Sequence, residues 1–271
     1  MDPIKTLETT TPIIEGHKGA GVDLYSSASL YQCWAKNTAC KLDIPNKLSL
    51  VTPTYNEASN ITNLTDRLRS TLAFTNYELI IVDDNSPDGT GQIADNLAQT
   101  YENIHVVHRV GKMGLASAVI EGFNAATGDV LGVIDADLQH PPEKVHNLYY
   151  GMGTADIVIA SRYIKDGGVQ GWSRTREIIS RGAKILPQLL FSRVRNVADP
   201  LSGFFLFKRS VIEDVELQPI GYKILLEILV RGHYRDVLEI PYVFVERKHG
   251  QSNFNTTEQI NYLKHLWRLM R

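Results

Sequence analysis

Cysteine is nearly absent from this 271-residue chain: Cys33 and Cys40 are the only two. Their spacing matches no common zinc or redox pattern, so free thiols in a reducing compartment are expected rather than a disulfide framework. Long apolar runs are also missing. No stretch of about 18 apolar residues exists to span a bilayer, and Met1 to Asn46 lacks the basic start and apolar core of a signal peptide. Without an export signal, the sequons at Asn60, Asn63 and Asn255 read as chance matches. Excess charge of one sign is lacking too. With 28 Lys and Arg against 30 Asp and Glu, the net charge of −2 argues against nucleic acid as the main partner. Neither an internal repeat nor a low-complexity tract is found, which removes solenoids and fibrous classes.

What is there is a 43% hydrophobic fraction, enough for a substantial core, arranged in alternating strand and helix patterns. Residues 1–46 are weakly patterned and read as an N-terminal extension; residues 47–271 read as one domain. Apolar runs at 48–52, 77–82, 104–107 and 130–134 predict strands. Helical spacing at 58–74, 90–101 and 114–126 predicts helices between them, the signature of βαβ units and a mostly parallel sheet. The second half predicts strands at 156–160, 204–208 and 237–246. Helices are expected at 176–190, 222–231 and 258–271, with a Gly-rich loop at 163–175. The fold class is α/β: helices flank the sheet and an amphipathic helix closes the chain.

Chemistry collects at strand ends. The run Val130 to Ile134 stops in Asp135-Ala136-Asp137-Leu138-Gln139-His140, offering hard oxygen and imidazole ligands for a divalent cation. Two other strands end at Tyr55/Glu57 and at Asp83/Asp84/Asp88. In a parallel sheet these ends share one edge, where ligands of α/β proteins bind. At least four carboxylates therefore converge on one cleft, a costly arrangement unless a cation or a ligand's donor groups offset it. Gly89-Thr90-Gly91-Gln92-Ile93-Ala94 fits the G-x-G-x-x-A dinucleotide fingerprint, but Asp83, Asp84 and Asp88 precede it and would repel a pyrophosphate.

Six motifs follow in order: Pro53-Thr54-Tyr55-Asn56-Glu57, Val82 to Asp88, Gly114 to Ala118, Asp135 to Pro142, Ser161-Arg162-Tyr163, and Asp199 to Phe205. Together they resemble the family 2 glycosyltransferases and, within them, the dolichol-phosphate (polyprenyl-phosphate) mannosyltransferases, over about residues 47–270. The resemblance implies a GT-A (Rossmann-like) fold and inverting transfer of mannose from GDP-mannose to a dolichyl or polyprenyl phosphate, with Mg2+ or Mn2+ as cofactor. It implies that Pro53, Tyr55, Glu57, Val82 and Asp84 hold the nucleoside, that Asp135, Ala136, Asp137 and Arg247 hold the rest of the donor, and that Asp137 and Gln139 ligate the metal. It assigns the acceptor phosphate to Arg162, Arg176 and Ser180, with Asp135, Asp137 and Arg162 as the catalytic set. His140 is expected to be structural, and Arg174 and Arg181 solvated. Asn253 departs from the pattern, standing where relatives usually carry Lys; Lys248 and His249 are the nearby basic residues.

A phosphate monoester has its second pKa near 6, so the acceptor is largely a dianion at neutral pH and needs no protein base. The enzyme's task is then to neutralise two phosphates and align a single in-line displacement. The alternative on the same fold is a UDP-glucose or other UDP-sugar donor; a non-catalytic nucleotide-sugar-binding module is the reading from a different class. In the last helix Ile260, Leu263, Leu266, Trp267 and Met270 share one face, with Lys264, His265, Arg268 and Arg271 over much of the rest. Such a helix packs its apolar face on the domain or lies in a membrane interface. The expected location is peripheral, on the cytoplasmic face of a membrane. A membrane-anchoring subunit or a further C-terminal membrane segment is the implied partner.

Overall fold

Four strands, three of them buried and one at the sheet edge, alternate with three amphipathic helices through the first half of the domain. The computed structural model describes residues 45–246 and 256–271, all within one compact unit, Asp43–Arg271. Strands β1 (Leu48–Thr54), β2 (Tyr77–Asp83), β3 (Ile104–His108) and β4 (Val130–Val133) are joined through helices α1 (Ile61–Thr71), α2 (Thr90–Thr100) and α3 (Leu115–Ala125). After β4 come α4 (Lys144–Gly151), β5 (Ile157–Ser161), β6 (Gly168–Gln170) and α5 (Arg174–Leu190). The chain continues through β7 (Phe205–Lys208), α6 (Ile224–Arg231), β8 (Val237–Pro241), β9 (Val243–Val245) and α7 (Thr256–Leu269).

The main sheet has seven strands in the order β3-β2-β1-β4-β7-β5-β8. Only β7 runs antiparallel, pairing with β4 on one side and β5 on the other. Side chains alternate across the sheet. Leu48 and Leu50 of β1 pack with α1 and α4 on one face, while Val51 packs with α3 on the other. The close β4–β7 approach depends on Gly132, where a Cβ would lie 2.1 Å from Leu206 Cδ2. At the edge away from the acidic strand ends, buried Glu78 accepts hydrogen bonds from Lys47 Nζ (2.7 Å), Ser49 Oγ (2.5 Å) and the Thr127 N–H (2.7 Å). This cluster ties the starts of β1 and β2 to the turn before β4.

Several details differ from the sequence expectation. Helix α4 is an addition, built on buried Val145, Leu148 and Tyr149. The run 237–246 is broken at Tyr242: β8 joins the main sheet, whereas β9 pairs in parallel with β6, which arises inside the expected Gly-rich loop. Helix α7 divides the apolar stripe read from its sequence. Leu266 is buried, but Ile260, Leu263, Trp267 and Met270 are exposed. His265, grouped above with the basic face, is fully buried, with Nε2 3.4 Å from Glu227 Oε2.

Candidate active site

The C-terminal ends of β1, β2, β4 and β5 do share one edge, and the antiparallel β7 delivers the loop 199–203 to it. A cavity of about 260 Å³ opens there, and its walls include Asp135, Asp137, Gln139, Arg162, Arg176 and Ser180. The structure thus brings both the expected metal and catalytic residues and the expected acceptor residues to one cavity. Arg247, together with Lys248, His249 and Asn253, lies outside the described residues.

The acidic wall follows β4. Leu138 adopts φ 62° between Asp137 and Gln139, a left-handed conformation unfavourable for a non-glycine residue. The turn is closed by the Gln139 N–H donating to Asp137 Oδ1 at 2.9 Å. The Gln139 side-chain amide donates to the Val245 carbonyl at 3.2 Å, which commits its nitrogen to protein. One carboxylate and one amide oxygen suit Mg2+ or Mn2+, hard ions that complete their shell with water and substrate phosphate. Among the described residues no cluster of three or more His, Cys, Asp or Glu forms a closed protein cage for a metal. Ala136 is buried, so its side chain belongs to the core.

His140 is buried and stacks on Phe204. Its Nδ1 accepts the Asp135 N–H at 3.4 Å. Burial pushes its pKa down to about 4, leaving a neutral ring that fixes the Asp135 backbone, in keeping with a structural role. A Cβ at Gly203 would fall 3.4 Å from Asp135 Oδ2 and 3.3 Å from His140 Cε1. Glycine there keeps the 199–203 loop tight against the acidic wall.

The basic wall follows β5 and α5. Arg162 meets Asp199 in a bidentate pair, Nε–Oδ2 and Nη2–Oδ1 both 2.8 Å, and the Arg162 N–H donates to Oδ2 at 3.0 Å. Burial opposes the guanidinium charge, but Asp199 outweighs it and holds the Arg162 pKa above its ordinary value. Asp199 is itself set by Glu239, which accepts the Ala198 and Asp199 N–H groups at 2.7 and 3.0 Å. On α5, Ser173 caps the first turn by accepting the Arg176 N–H. Arg176 pairs with Glu246 and stacks over Trp172 at 4.4 Å. Ser180 Oγ lies 2.8 Å from Tyr163 Oη. Arg181 is exposed and bonded to Glu177, on the solvent side as expected.

The expected nucleoside residues sit beside this cavity on the same edge. Tyr55 carries Lys112 Nζ 4.0 Å from its ring centre. Glu57 accepts Asn60 Nδ2 at 2.7 Å and anchors the start of α1. Asp84 forms a buried ion pair with Arg109 and accepts the Met113 and Gly114 N–H groups, each at 3.2 Å. The Val82 side chain is in the core, whereas Pro53 is half-buried. Two of the converging acids are engaged by the protein's own donors, Asp83 buried and Asp88 exposed. Asp83 accepts from Thr54 Oγ1 and from Ser86, and Asp88 accepts the Ala58 and Thr90 N–H groups. Asp88 thereby closes the helix start of the G-x-G-x-x-A run, where a pyrophosphate would need free N–H groups.

Sequence reading gave no role to Tyr163, Trp172, Lys184, Asp199, Lys223 or Glu246, all of which line the cavity. Asp199 stood inside a motif, but its pairing with a residue 37 positions away left no local signal. Lys223 Nζ donates to the Leu201 carbonyl at 3.3 Å. Close packing, then the charge of Arg162, lowers its pKa to about 7, with Asp199 and Asp135 partly offsetting them.

Residues 49–216 match the model of glycosyl transferase family 2. The dolichol-phosphate mannosyltransferase of Pyrococcus furiosus is 44% identical over 83% of this chain, which spans 64% of that relative's length. The enzymes of the same name from Mycosarcoma maydis and Saccharomyces cerevisiae are 36% and 35% identical, over 82% and 80% of this chain and 79% and 85% of theirs. Two solved structures share the fold at 21% identity. A mannosyltransferase from Pyrobaculum calidifontis, in complex with GDP-Man and Mn2+, has a TM-score of 0.58 over 90% of this chain and 70% of its own. Glucosyl-3-phosphoglycerate synthase from Mycobacterium tuberculosis, in complex with Mn2+, UDP and phosphoglyceric acid, has a TM-score of 0.61 over 84% and 80%. The family model spans the mostly parallel, helix-flanked sheet from β1 through β7: this chain belongs to glycosyltransferase family 2.

Proposed function

We propose that this chain transfers mannose from GDP-mannose to a dolichyl or polyprenyl phosphate, with inversion and with Mg2+ or Mn2+ bound at Asp137 and Gln139. The observation that carries this reading is the two-sided cavity. Its acidic wall, Asp135 to Gln139, faces a basic wall of Arg162, Arg176 and Ser180. A nucleoside diphosphate needs a cation between itself and carboxylates, whereas an acceptor phosphate needs arginine forks. The names of the curated relatives favour the same donor sugar and acceptor class.

When bound, the cation would supply Lewis-acid stabilisation of the departing diphosphate. The chain's own residues do the rest. Pro53, Tyr55, Glu57, Val82 and Asp84 receive the nucleoside, and Asp135, with the Ala136 backbone, orients the sugar. Arg247 meets the diphosphate. Arg162, fixed by Asp199, presents its guanidinium to the acceptor, and Arg176 with Ser180 sets the phosphate in line with the sugar carbon. The acceptor dianion is already nucleophilic, so Asp135 and Asp137 hold and polarise rather than remove a proton.

The lipid acceptor requires a membrane-facing surface. No helix among the described residues is long and apolar enough to cross a membrane. Helices α5 and α7 instead lie against each other, with Tyr262 Oη donating to the Ala183 carbonyl at 2.6 Å. Both expose large apolar side chains, among them Ile178, Leu189, Leu263 and Trp267. An amphipathic pair of this kind binds peripherally in the interface, beside the wall that takes the acceptor phosphate.

A donor panel tests the proposal. GDP-mannose, UDP-glucose and other UDP-sugars are each supplied with Mn2+ and a short-chain polyprenyl phosphate, and lipid-linked sugar is scored. Turnover with GDP-mannose alone is expected. Turnover with UDP-glucose instead would move the nucleoside assignment, and tight nucleotide binding without turnover of any donor would favour a binding module.

A further inference from the structure

Among the described residues four cationic side chains line the cavity, Arg162, Arg176, Lys184 and Lys223, but they do not present equal charge. Arg162 is neutralised by Asp199 and Arg176 by Glu246. A dianion entering between them meets two ion pairs whose fields largely cancel. Lys223 is bonded to a carbonyl and is partly offset by Asp199 and Asp135. Lys184 differs. Its Nζ donates to the Ala198 carbonyl at 3.1 Å and lies 4.5 Å from the Tyr163 ring centre. Neither partner carries a negative charge. The neighbouring acid on the same helix, Glu177, is engaged by Arg181.

Position agrees with charge. Arg176, Ser180 and Lys184 follow at four-residue intervals on α5, so they stand on one helix face about one turn apart. Tyr163 closes the row by contacting Ser180 with its hydroxyl and Lys184 with its ring. The outer face of the same helix exposes Ile185, Leu186 and Leu189. Lys184 therefore sits where an apolar surface gives way to the phosphate wall. We propose that Lys184, held by Tyr163, is an acceptor-recognition residue supplying an uncompensated positive charge that attracts and holds a phosphate monoester dianion. This rests on the acceptor reading above and adds a residue to it.

The test compares wild type with Lys184→Ala, Lys184→Gln and Lys184→Arg, varying polyprenyl phosphate at saturating GDP-mannose and Mn2+. Loss of one charge-assisted hydrogen bond should raise the acceptor KM about tenfold in Lys184→Ala and Lys184→Gln. The donor KM should stay within about twofold. Lys184→Arg should restore most of the loss, and the salt dependence of acceptor kcat/KM should flatten in Lys184→Gln as one ionic contact disappears. Glutamine can still donate to the Ala198 carbonyl. A wild-type acceptor KM in Lys184→Gln with a raised one in Lys184→Ala would make Lys184 a support for the 198–199 loop and overturn the proposal, as would equal loss on donor and acceptor. Inorganic phosphate provides an arm independent of turnover. It should shift the melting temperature of wild type more than that of Lys184→Gln and compete with the lipid acceptor. If wild type transfers no sugar, the acceptor reading fails while this arm still decides the lysine: equal shifts, or none in either, overturn it.

Discussion

Arg162 and Asp199 face each other through two contacts of 2.8 Å, with Asp199 fully buried and the arginine side chain only 10% exposed. The pair fastens the end of β5 to the loop that enters β7. Arg162→Ala therefore removes more than an acceptor contact, since it strands a buried carboxylate. We expect a stability loss of about 3–5 kcal/mol from the unpaired charge, read as a fall in denaturation midpoint. The double variant Arg162→Ala/Asp199→Asn should recover much of that stability and no transfer. Recovery of transfer would make the arginine a structural element only.

Asp137 is expected to carry the cation. Asp137→Ala should abolish Mn2+-dependent transfer, and the Mn2+ enhancement of GDP binding should vanish in calorimetry while the fold remains intact. An undiminished enhancement would place the cation elsewhere.

Lys223 gives the cavity a pH limit. Its ammonium is charged below about 7 and loses its proton above. The acceptor becomes a dianion only above a pKa near 6. Acceptor kcat/KM should therefore rise through about pH 6 and fall above about pH 7, because kcat/KM reports the groups of the free enzyme and the free acceptor. Lys223→Arg should move the falling limb upward. An unmoved limb would assign it to another group.

Glu78 makes the fold acid-sensitive from the opposite edge of the sheet. Burial alone would raise its pKa, but bonds from Lys47, Ser49 and Thr127 overcome burial and lower it from 4.5 to about 2. Its stabilisation is therefore complete above about 4.5 and is lost as pH falls through about 2, worth about 3 kcal/mol in all. Glu78→Gln should flatten stability against pH across that window; an unchanged slope would assign the acid transition to other carboxylates.

The sequence disclosed most of the strand and helix order because βαβ patterning is local. An apolar run such as 130–134, ended by Asp135 and Asp137, declares both a strand and its functional end. Helix α4 went unread because it has only eight residues and follows Pro141-Pro142. Strands β6 and β9 are three residues each, too short for a period to register. In the site, Asp135, Asp137, Gln139 and Arg162 stand inside motifs, Arg176 and Ser180 follow from the family resemblance and their spacing on one helix, and all six line one cavity. Asp199 as the partner of Arg162, Lys223 beside Leu201, and Lys184 against Tyr163 depend on contacts between distant segments. His265 was misassigned for a related reason: a helical wheel shows which residues share a face, not which face docks.

The antiparallel strand β7 has a consequence for scale. Hydrogen-bonded to both β4 and β5, it holds those two strands apart by two inter-strand spacings, about 10 Å. The carboxylates follow β4 and the arginine follows β5, so the two walls leave the sheet from strands at that spacing. The spacing of the two strands is thus set by backbone hydrogen bonds, with Gly132 admitting the close β4–β7 approach. Replacing wall residues should therefore change which ligand the cavity accepts while leaving that strand spacing in place.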